Sequence, residues 1–80
     1  MKYFVYLLKS LRKNYYYVGL TNNLKRRISQ HNSSKVRSTK HYQPFKLVFT
    51  KEFSDRIRAR DFEKFLKIRS NKEKVIASLN

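Results

Sequence analysis

Five side chains of types that take part in phosphodiester hydrolysis are spread along the chain. They are Tyr6, Tyr17, Arg27, His31 and Glu63. Such hydrolysis needs a group that activates a water molecule, a cation beside the phosphate and usually a metal ion at the leaving oxygen. A phenol or an imidazole can activate water, a guanidinium matches phosphate oxygens, and a carboxylate can bind Mg²⁺. Spacing alone is a weak signal, because tyrosines in strands more often pack in a core.

The elements that must position these side chains follow from the pattern of apolar residues. Residues 3–9 are apolar on both faces and predict a buried strand, and residues 15–20 predict a second strand in an antiparallel hairpin with it. Further elements are predicted as helices over 23–32, 55–69 and 72–79, a mobile basic loop over 33–44, and a strand over 45–50 that could extend to Phe53. The order β-β-α-β-α-α predicts one small α+β domain of residues 1–80, with a three-stranded sheet flanked by helices.

The first predicted helix begins after the capping residues 21–23 and has one face that points toward the domain. That face carries Leu24, Arg27, Ile28 and His31. Arg27 belongs to the basic run Lys25-Arg26-Arg27, and such runs usually lie on a solvated face. Because Arg27 shares the inward face of the helix, it is expected to point toward the domain. His31 could equally be a cation that interacts with the dipole at the carboxyl end of the helix.

The second predicted helix begins at a Ser-Asp cap at residues 54–55, and the third at a Ser-Asn break and cap at residues 70–71. The apolar side of the second helix is predicted to comprise Ile57, Ala59, Phe62, Phe65, Leu66 and Ile68. Glu63 lies at the edge of this side and could instead be a surface charge paired with Lys67. Asp61 falls inside the apolar side and could pair with Arg58.

Charge is the dominant feature of the composition. Twenty Lys and Arg oppose five Asp and Glu, for a net charge of +15, and all five acids follow residue 51. Six Phe and six Tyr argue against a disordered basic tail, and one Gly and one Pro exclude collagen-like and linker sequences. A polyanion partner is expected, namely DNA, RNA or an acidic membrane surface. The alternative is a generic basic surface that keeps a small protein soluble.

Cysteine is absent, which excludes a disulfide framework and a cysteine zinc site and fits a reducing compartment. The apolar run near the amino terminus stops at Lys9, after six residues, and is too short for a signal peptide or a membrane span. A cytoplasmic protein without a membrane association is therefore expected.

Several ordered segments resemble the GIY-YIG nuclease family. Phe4-Val5-Tyr6 and Tyr17-Val18-Gly19 are similar to its two signature tripeptides, and the run continues through Arg27 to His31-Asn32. Residues 58–67 resemble the segment around the family's metal-binding glutamate, here Glu63. The resemblance covers residues 2–76 and is closest to short stand-alone members related to the N-terminal nuclease domain of an excinuclease.

The resemblance implies an antiparallel sheet and a metal-dependent DNA endonuclease. Tyr6 and Tyr17 would position or deprotonate the attacking water, and Arg27 would contact the scissile phosphate. His31 would assist proton transfer or phosphate binding, and Glu63 would hold a single Mg²⁺ or Mn²⁺. The sequence departs from the family pattern in three places. Phe4 replaces a Gly, and Leu20 stands where related members have a Lys. Asn71 is the nearest candidate for the family's late Asn, but fewer residues separate it from Glu63 than the family pattern has.

DNA contacts are predicted at one glycine and five basic residues. They are Gly19, Lys25, Arg26, Lys35, Arg37 and Lys40. Gly19 could leave room for a phosphate near the helix amino terminus or only mark the end of a strand. His41 is a loop residue or a minor DNA contact. An 80-residue domain has no evident module that reads a long sequence, so specificity would come from DNA structure or a partner protein.

Two other functions remain open at this point. A catalytically silent nucleic-acid-binding module would keep the fold and the basic surface without cutting DNA. A peripheral protein on anionic membranes is less favoured, because the basic residues do not follow one strongly amphipathic helix.

Overall fold

A computed structural model of the chain describes residues 1–79. Its elements are β1 (Tyr3–Ser10), β2 (Tyr16–Thr21), α1 (Leu24–Asn32), a 3₁₀ turn (Lys40–Tyr42), β3 (Phe45–Phe53), α2 (Arg56–Lys67) and α3 (Arg69–Ser78). The strands form one antiparallel sheet in the order β2-β1-β3. The predicted α+β class and element order are thus confirmed. Within residues 1–79, no helix is long and apolar enough to cross a membrane.

The central strand β1 is buried on both faces, as its apolar pattern predicts. Val5 and Leu7 pack with Ala59 and Leu66 of α2 on one face of the sheet. The opposite face forms a second cluster around Tyr6, Leu8 and Phe45, against which α1 packs through Leu24 and Ile28. Because successive strand residues point to opposite faces, this second face is the one that carries the candidate tyrosines.

Two predicted helix caps are confirmed, and one is wrong. The side chain of Asn23 accepts a hydrogen bond from the Arg26 amide at 3.1 Å, and that of Asp55 accepts from the Ile57 amide at 2.7 Å. The break between α2 and α3 falls at Ile68, whose backbone is extended, rather than at residues 70–71. Asn71 lies inside α3 and donates through its side chain to the Phe65 carbonyl, so it closes the end of α2 instead of starting α3.

The predicted apolar side of α2 is too wide. Its buried or half-buried stripe consists of Ala59, Phe62, Glu63 and Leu66. Ile57 is 74% exposed and Ile68 55% exposed, and Phe65 is also exposed. The stripe follows the spacing i, i+3, i+4, i+7, because only one face of a straight helix can contact a nearly flat sheet. Asp61 lies outside the stripe and is exposed, and Arg58 approaches Asp55 at 4.0 Å rather than Asp61.

The segment 33–44, predicted as a mobile loop, is anchored to the domain. It contains the 3₁₀ turn, and the ring of Tyr42 stacks on that of Tyr15 with centroids 3.9 Å apart. The side chain of Asn32 accepts from the Phe45 amide at 2.6 Å and donates to the Phe45 carbonyl at 3.2 Å. Thr39, in the middle of the segment, is fully buried. Residues 33–44 contain few apolar side chains, so hydrogen bonds from polar side chains help to hold this segment on the domain.

Candidate active site

Tyr6 is the centre of the candidate site and is fully buried. It pairs in register with Gly19 on β2. A Cβ atom on Gly19 would collide with Cζ and Oη of Tyr6, so the glycine admits the phenol ring over the strand. Packing of Tyr6 thus accounts for the glycine of Tyr17-Val18-Gly19. A direct contact of Gly19 with phosphate stays a prediction.

A chain of hydrogen bonds leads from Tyr6 into the interior. Tyr6 Oη lies 3.0 Å from Nε2 of His31, and Nδ1 of His31 lies 2.9 Å from Oγ1 of Thr39. All three residues are fully buried. His31 is therefore a buried member of the site, not a solvated cation at the end of α1.

Aromatic rings enclose His31 and complete the cluster. The ring centroid of Tyr17 lies 4.7 Å from that of His31 and 6.2 Å from that of Tyr6. Phe45 meets the imidazole edge-on, with centroids 5.9 Å apart. Tyr17 is half-buried whereas Tyr6 is enclosed, so Tyr17 is the tyrosine of this pair that solvent reaches.

Arg27 is half-buried beside both tyrosines, as its helix face predicts. Its interaction with the Tyr6 hydroxyl is the main reason that the pKa of Arg27 is raised, and both tyrosines contribute. Burial raises the pKa of Tyr6 to about 12, against the opposing effect of Arg27. Burial also lowers the pKa of His31 to about 4, and the Arg27 charge acts in the same direction. At neutral pH the pair is therefore a phenol and a neutral imidazole.

Acidification is expected to destabilise the fold through His31. An unfolded chain binds a proton on histidine below about pH 6.5, whereas folded His31 binds one only near pH 4. The unfolded state thus holds more protons between these values, and stability falls as the pH drops through that window, by about 3 kcal/mol. Urea denaturation between pH 7.5 and 4 measures this loss. His31→Gln should flatten the profile, and the exposed His41→Gln should keep it. Equal slopes in all three proteins would contradict the assignment.

Glu63 lies on α2, the helix that packs on the other face of the sheet. Its side chain is 9% exposed; one carboxylate oxygen lies 2.6 Å from Nη1 of Arg60 and the other 3.3 Å from Nζ of Lys67. The predicted pairing with Lys67 is thus present and is joined by Arg60. The Glu63 charge also contributes, as the weakest of several effects, to the raised pKa of Tyr6. Four of the five candidate residues lie together, namely Tyr6, Tyr17, Arg27 and His31. Glu63 acts on this cluster only through the electrostatic effect of its charge.

The basic residues predicted to contact DNA lie on the surface. Lys25, Arg26, Lys35, Arg37 and Lys40 are all exposed, and none of them forms an ion pair within residues 1–79. They belong to the outer side of α1 and to the anchored segment after it. Their positive charges are therefore available to a polyanion, and contact with DNA remains a prediction.

Two polar residues, Thr39 and Asn32, matter more to the site than sequence reasoning suggests. Thr39 lies in a Ser- and Lys-rich stretch where no periodicity marks one residue as buried. Asn32 stands out in the sequence only as the neighbour of His31, yet it fixes the start of β3, which carries Phe45 against the imidazole. For Asn32 the family-like His-Asn pair is a usable signal.

Comparison with known proteins gives a match to the GIY-YIG catalytic domain over residues 2–75. The chain belongs to the GIY-YIG family. It is 33% identical to a UPF0213 protein of Limosilactobacillus reuteri over 76 residues, which cover 91% of this chain and 78% of that protein. It is 34% identical to the UPF0213 protein YazA of Bacillus subtilis over 73 residues, 90% of this chain and 73% of the relative.

A solved structure supports the same placement. The solution NMR structure of a UPF0213 protein from Bacillus halodurans superposes with a TM-score of 0.61 and 32% identity, covering 96% of this chain and 84% of that one. The GIY-YIG fold is therefore shared over nearly the whole chain. The GIY-YIG family is one of nucleases.

Proposed function

We propose that this GIY-YIG domain is a divalent-metal-dependent DNA endonuclease that hydrolyses one phosphodiester bond at a time. The observation that carries the proposal is the buried Tyr6–His31 hydrogen bond with Tyr17 and Arg27 beside it. Any buried tyrosine hydroxyl needs one hydrogen-bond partner, but a core tyrosine does not also need an inward guanidinium beside it. Because the chain is a GIY-YIG domain, a nuclease site is the chemistry that best accounts for this cluster.

Arg27 has the position and chemistry to bind the scissile phosphate. It is half-buried, keeps its charge at every physiological pH, and projects from α1 beside two hydroxyl groups. Its Nη1 also donates to Gln30 Oε1 at 3.1 Å, which limits its rotation. A guanidinium held in this way stabilises the charge that develops on the phosphate oxygens in the transition state.

Tyr17 is placed to orient and activate the attacking water. Tyr17 is half-buried and reached by solvent, whereas Tyr6 is fully buried. The positive charge of Arg27 lies beside Tyr17, so a water bound at Tyr17 would be close to the phosphate that Arg27 is proposed to bind. Tyr6 and His31 assist by positioning Arg27, since the Tyr6 hydroxyl can donate to Nε2 of His31 while its oxygen interacts with the guanidinium.

Glu63 is the residue proposed to hold a single Mg²⁺ or Mn²⁺. Members of this nuclease family generally use divalent metal ions, and residues 1–79 contain no cluster of three or more His, Cys, Asp or Glu. One carboxylate fits Mg²⁺ if water and substrate phosphate oxygens complete the octahedron. The carboxylate partners, Arg60 and Lys67, are half-exposed side chains that can turn toward solvent or phosphate. A bound ion would stabilise the leaving oxygen.

The basic surface suits DNA and suggests how the substrate is chosen. A net charge of +15 on 80 residues gives strong attraction to a polyanion that is independent of sequence. Selectivity is proposed to come from branched, damaged or distorted DNA, or from a partner protein, with roles in repair or recombination. The protein is proposed to act in the cytoplasm.

Plasmid nicking tests the proposal. Wild-type protein with Mg²⁺ or Mn²⁺ should convert supercoiled plasmid or a branched duplex to nicked product, and chelator should stop the reaction. Arg27→Met should lower the single-turnover rate by about 10²-fold, because one charged contact in the transition state is lost. Arg56→Met removes an exposed arginine of α2 that is not a predicted DNA contact; it is the matched control and should retain the rate. Tight, salt-sensitive binding without any cutting would identify the silent DNA-binding module instead.

A further inference from the structure

We infer that Thr39 is a positioning residue that holds the His31 imidazole in the tautomer with its proton on Nδ1. The assignment deepens the proposed function and rests on it for its catalytic consequence. Within residues 1–79, the Thr39 side chain forms a hydrogen bond with His31 and none with Tyr17 or Arg27, so we assign its effect to His31. Three hydrogen bonds in succession link Tyr6, His31, Thr39 and the Val36 carbonyl, and their directions fix the tautomer.

The first step is the hydroxyl of Thr39. Its Oγ1 lies 3.3 Å from the Val36 carbonyl, an acceptor that can only receive a proton. The Thr39 hydroxyl therefore donates to Val36, and its lone pair is free to accept from Nδ1–H of His31 at 2.9 Å. No buried side-chain nitrogen or oxygen of residues 1–79 lacks a partner, which agrees with this assignment.

The second step is the hydroxyl of Tyr6, which needs an acceptor of its own. Arg27 has only donors, so the buried Tyr6 proton can go only to Nε2 of His31, at 3.0 Å. The opposite tautomer would place a hydrogen on Nε2 and aim it at the phenol oxygen, leaving the Tyr6 proton unpaired in the interior. Such an unpaired buried donor is costly. Both ends of the imidazole thus require the same tautomer.

The third step is the rigidity of Thr39 itself. Its amide donates to the Val36 carbonyl at 3.1 Å, and its own carbonyl accepts from the Tyr42 amide at 3.0 Å. The residue therefore occupies a closed turn immediately before the 3₁₀ turn, not a loose loop. This explains why a Thr that no pattern singles out is fully buried.

Nitrogen-15 NMR of the His31 ring tests the tautomer without DNA, metal or activity. The spectrum is recorded in a His41→Gln background, which removes the signals of the exposed second histidine. With Thr39 present, the His31 ring should show a pyridine-like Nε2 and a protonated Nδ1. Thr39→Val keeps the shape but loses the acceptor, and it should shift His31 toward the Nε2–H form or a mixture. Thr39→Ser restores the hydroxyl and should restore the wild-type signals. A wild-type Nε2–H tautomer, or unchanged signals in Thr39→Val, would overturn the inference.

Nicking rates test the consequence of the tautomer. Thr39→Val should lower the single-turnover rate by about 10-fold, with DNA affinity unchanged, and Thr39→Ser should recover most of it. If Thr39 had only a structural role, Thr39→Val would lower stability without changing the His31 tautomer. Thr39→Ser would then have no change in the His31 signals to reverse. If wild type cuts no DNA, the proposed function fails, whereas the tautomer result still decides whether Thr39 orients His31.

Discussion

Glu63→Gln is expected to reduce metal-dependent nicking by about 10³-fold. The substitution keeps the size and one oxygen of the side chain but removes the charge that a divalent ion requires. Metal stabilisation of the leaving oxygen contributes several kcal/mol to such reactions, and about 4 kcal/mol corresponds to a thousandfold in rate. DNA binding measured in chelator should be unchanged or slightly tighter, because the net charge becomes more positive. Rates are measured under single-turnover conditions over a range of Mn²⁺ concentrations.

The matched control is Glu73→Gln on α3. Glu73 is also a helical glutamate, paired at i,i+4 with Arg69 at 2.8 Å, but it is exposed. The same chemical change there should leave nicking within twofold of wild type. Folding should be little affected in either variant, since the paired Arg and Lys side chains are half-exposed or more and such pairs contribute about 1 kcal/mol or less. Equal nicking by wild type and Glu63→Gln would remove the metal-ligand role of Glu63.

Tyr17→Phe is expected to lower nicking by about 10³-fold while leaving the fold intact. Tyr17 is half-buried and interacts with Arg27, beside which the substrate phosphate is proposed to bind. Loss of a positioned group that activates water has an effect of about 10²–10⁴-fold. The aromatic contacts of Tyr17 with His31 and Tyr6 are kept by phenylalanine, so the urea midpoint should stay constant.

Tyr16→Phe is the control for this change, because Tyr16 is the neighbouring residue on β2 and faces the opposite side of the sheet. It should retain the wild-type rate. A Tyr17→Phe protein that nicks as fast as Tyr16→Phe would show that water is activated elsewhere, and Tyr6 would then become the candidate. Comparing the adjacent pair separates a role of the site from a general effect of removing a hydroxyl from β2.

Much of the fold was predictable because its signals are local. The two-sided apolar pattern of β1, the hairpin and the capping side chains Asn23 and Asp55 all act within a few residues of themselves. The errors occur where a long-range contact decides. Ile57 and Ile68 are apolar, but the sheet covers only one stripe of α2 and leaves them outside. Likewise, the break between α2 and α3 depends on how the two helices pack, not on the Ser-Asn pair.

The candidate site residues could also be predicted from the sequence, but their contacts with one another could not. Motif resemblance singled out Tyr6, Tyr17, Arg27, His31 and Glu63, and the structure brings the first four together around one buried hydrogen bond. The distance between Tyr6 and His31 along the chain is 25 residues. Only the packing of α1 against β1 closes that gap. Glu63 remains on the far side of the sheet, and its part in the reaction is a proposal for experiment.

By itself, the sequence determined the basic charge, the element order and the family to which the chain belongs. These properties depend on residue types and short-range patterns, which the chain carries whether or not it is folded. The tertiary structure decided which groups are in the interior, and therefore which protons are held. It enclosed Tyr6 over Gly19, made His31 a neutral acceptor, and gave Thr39 a partner eight residues away. Burial and hydrogen-bond direction exist only once distant segments meet.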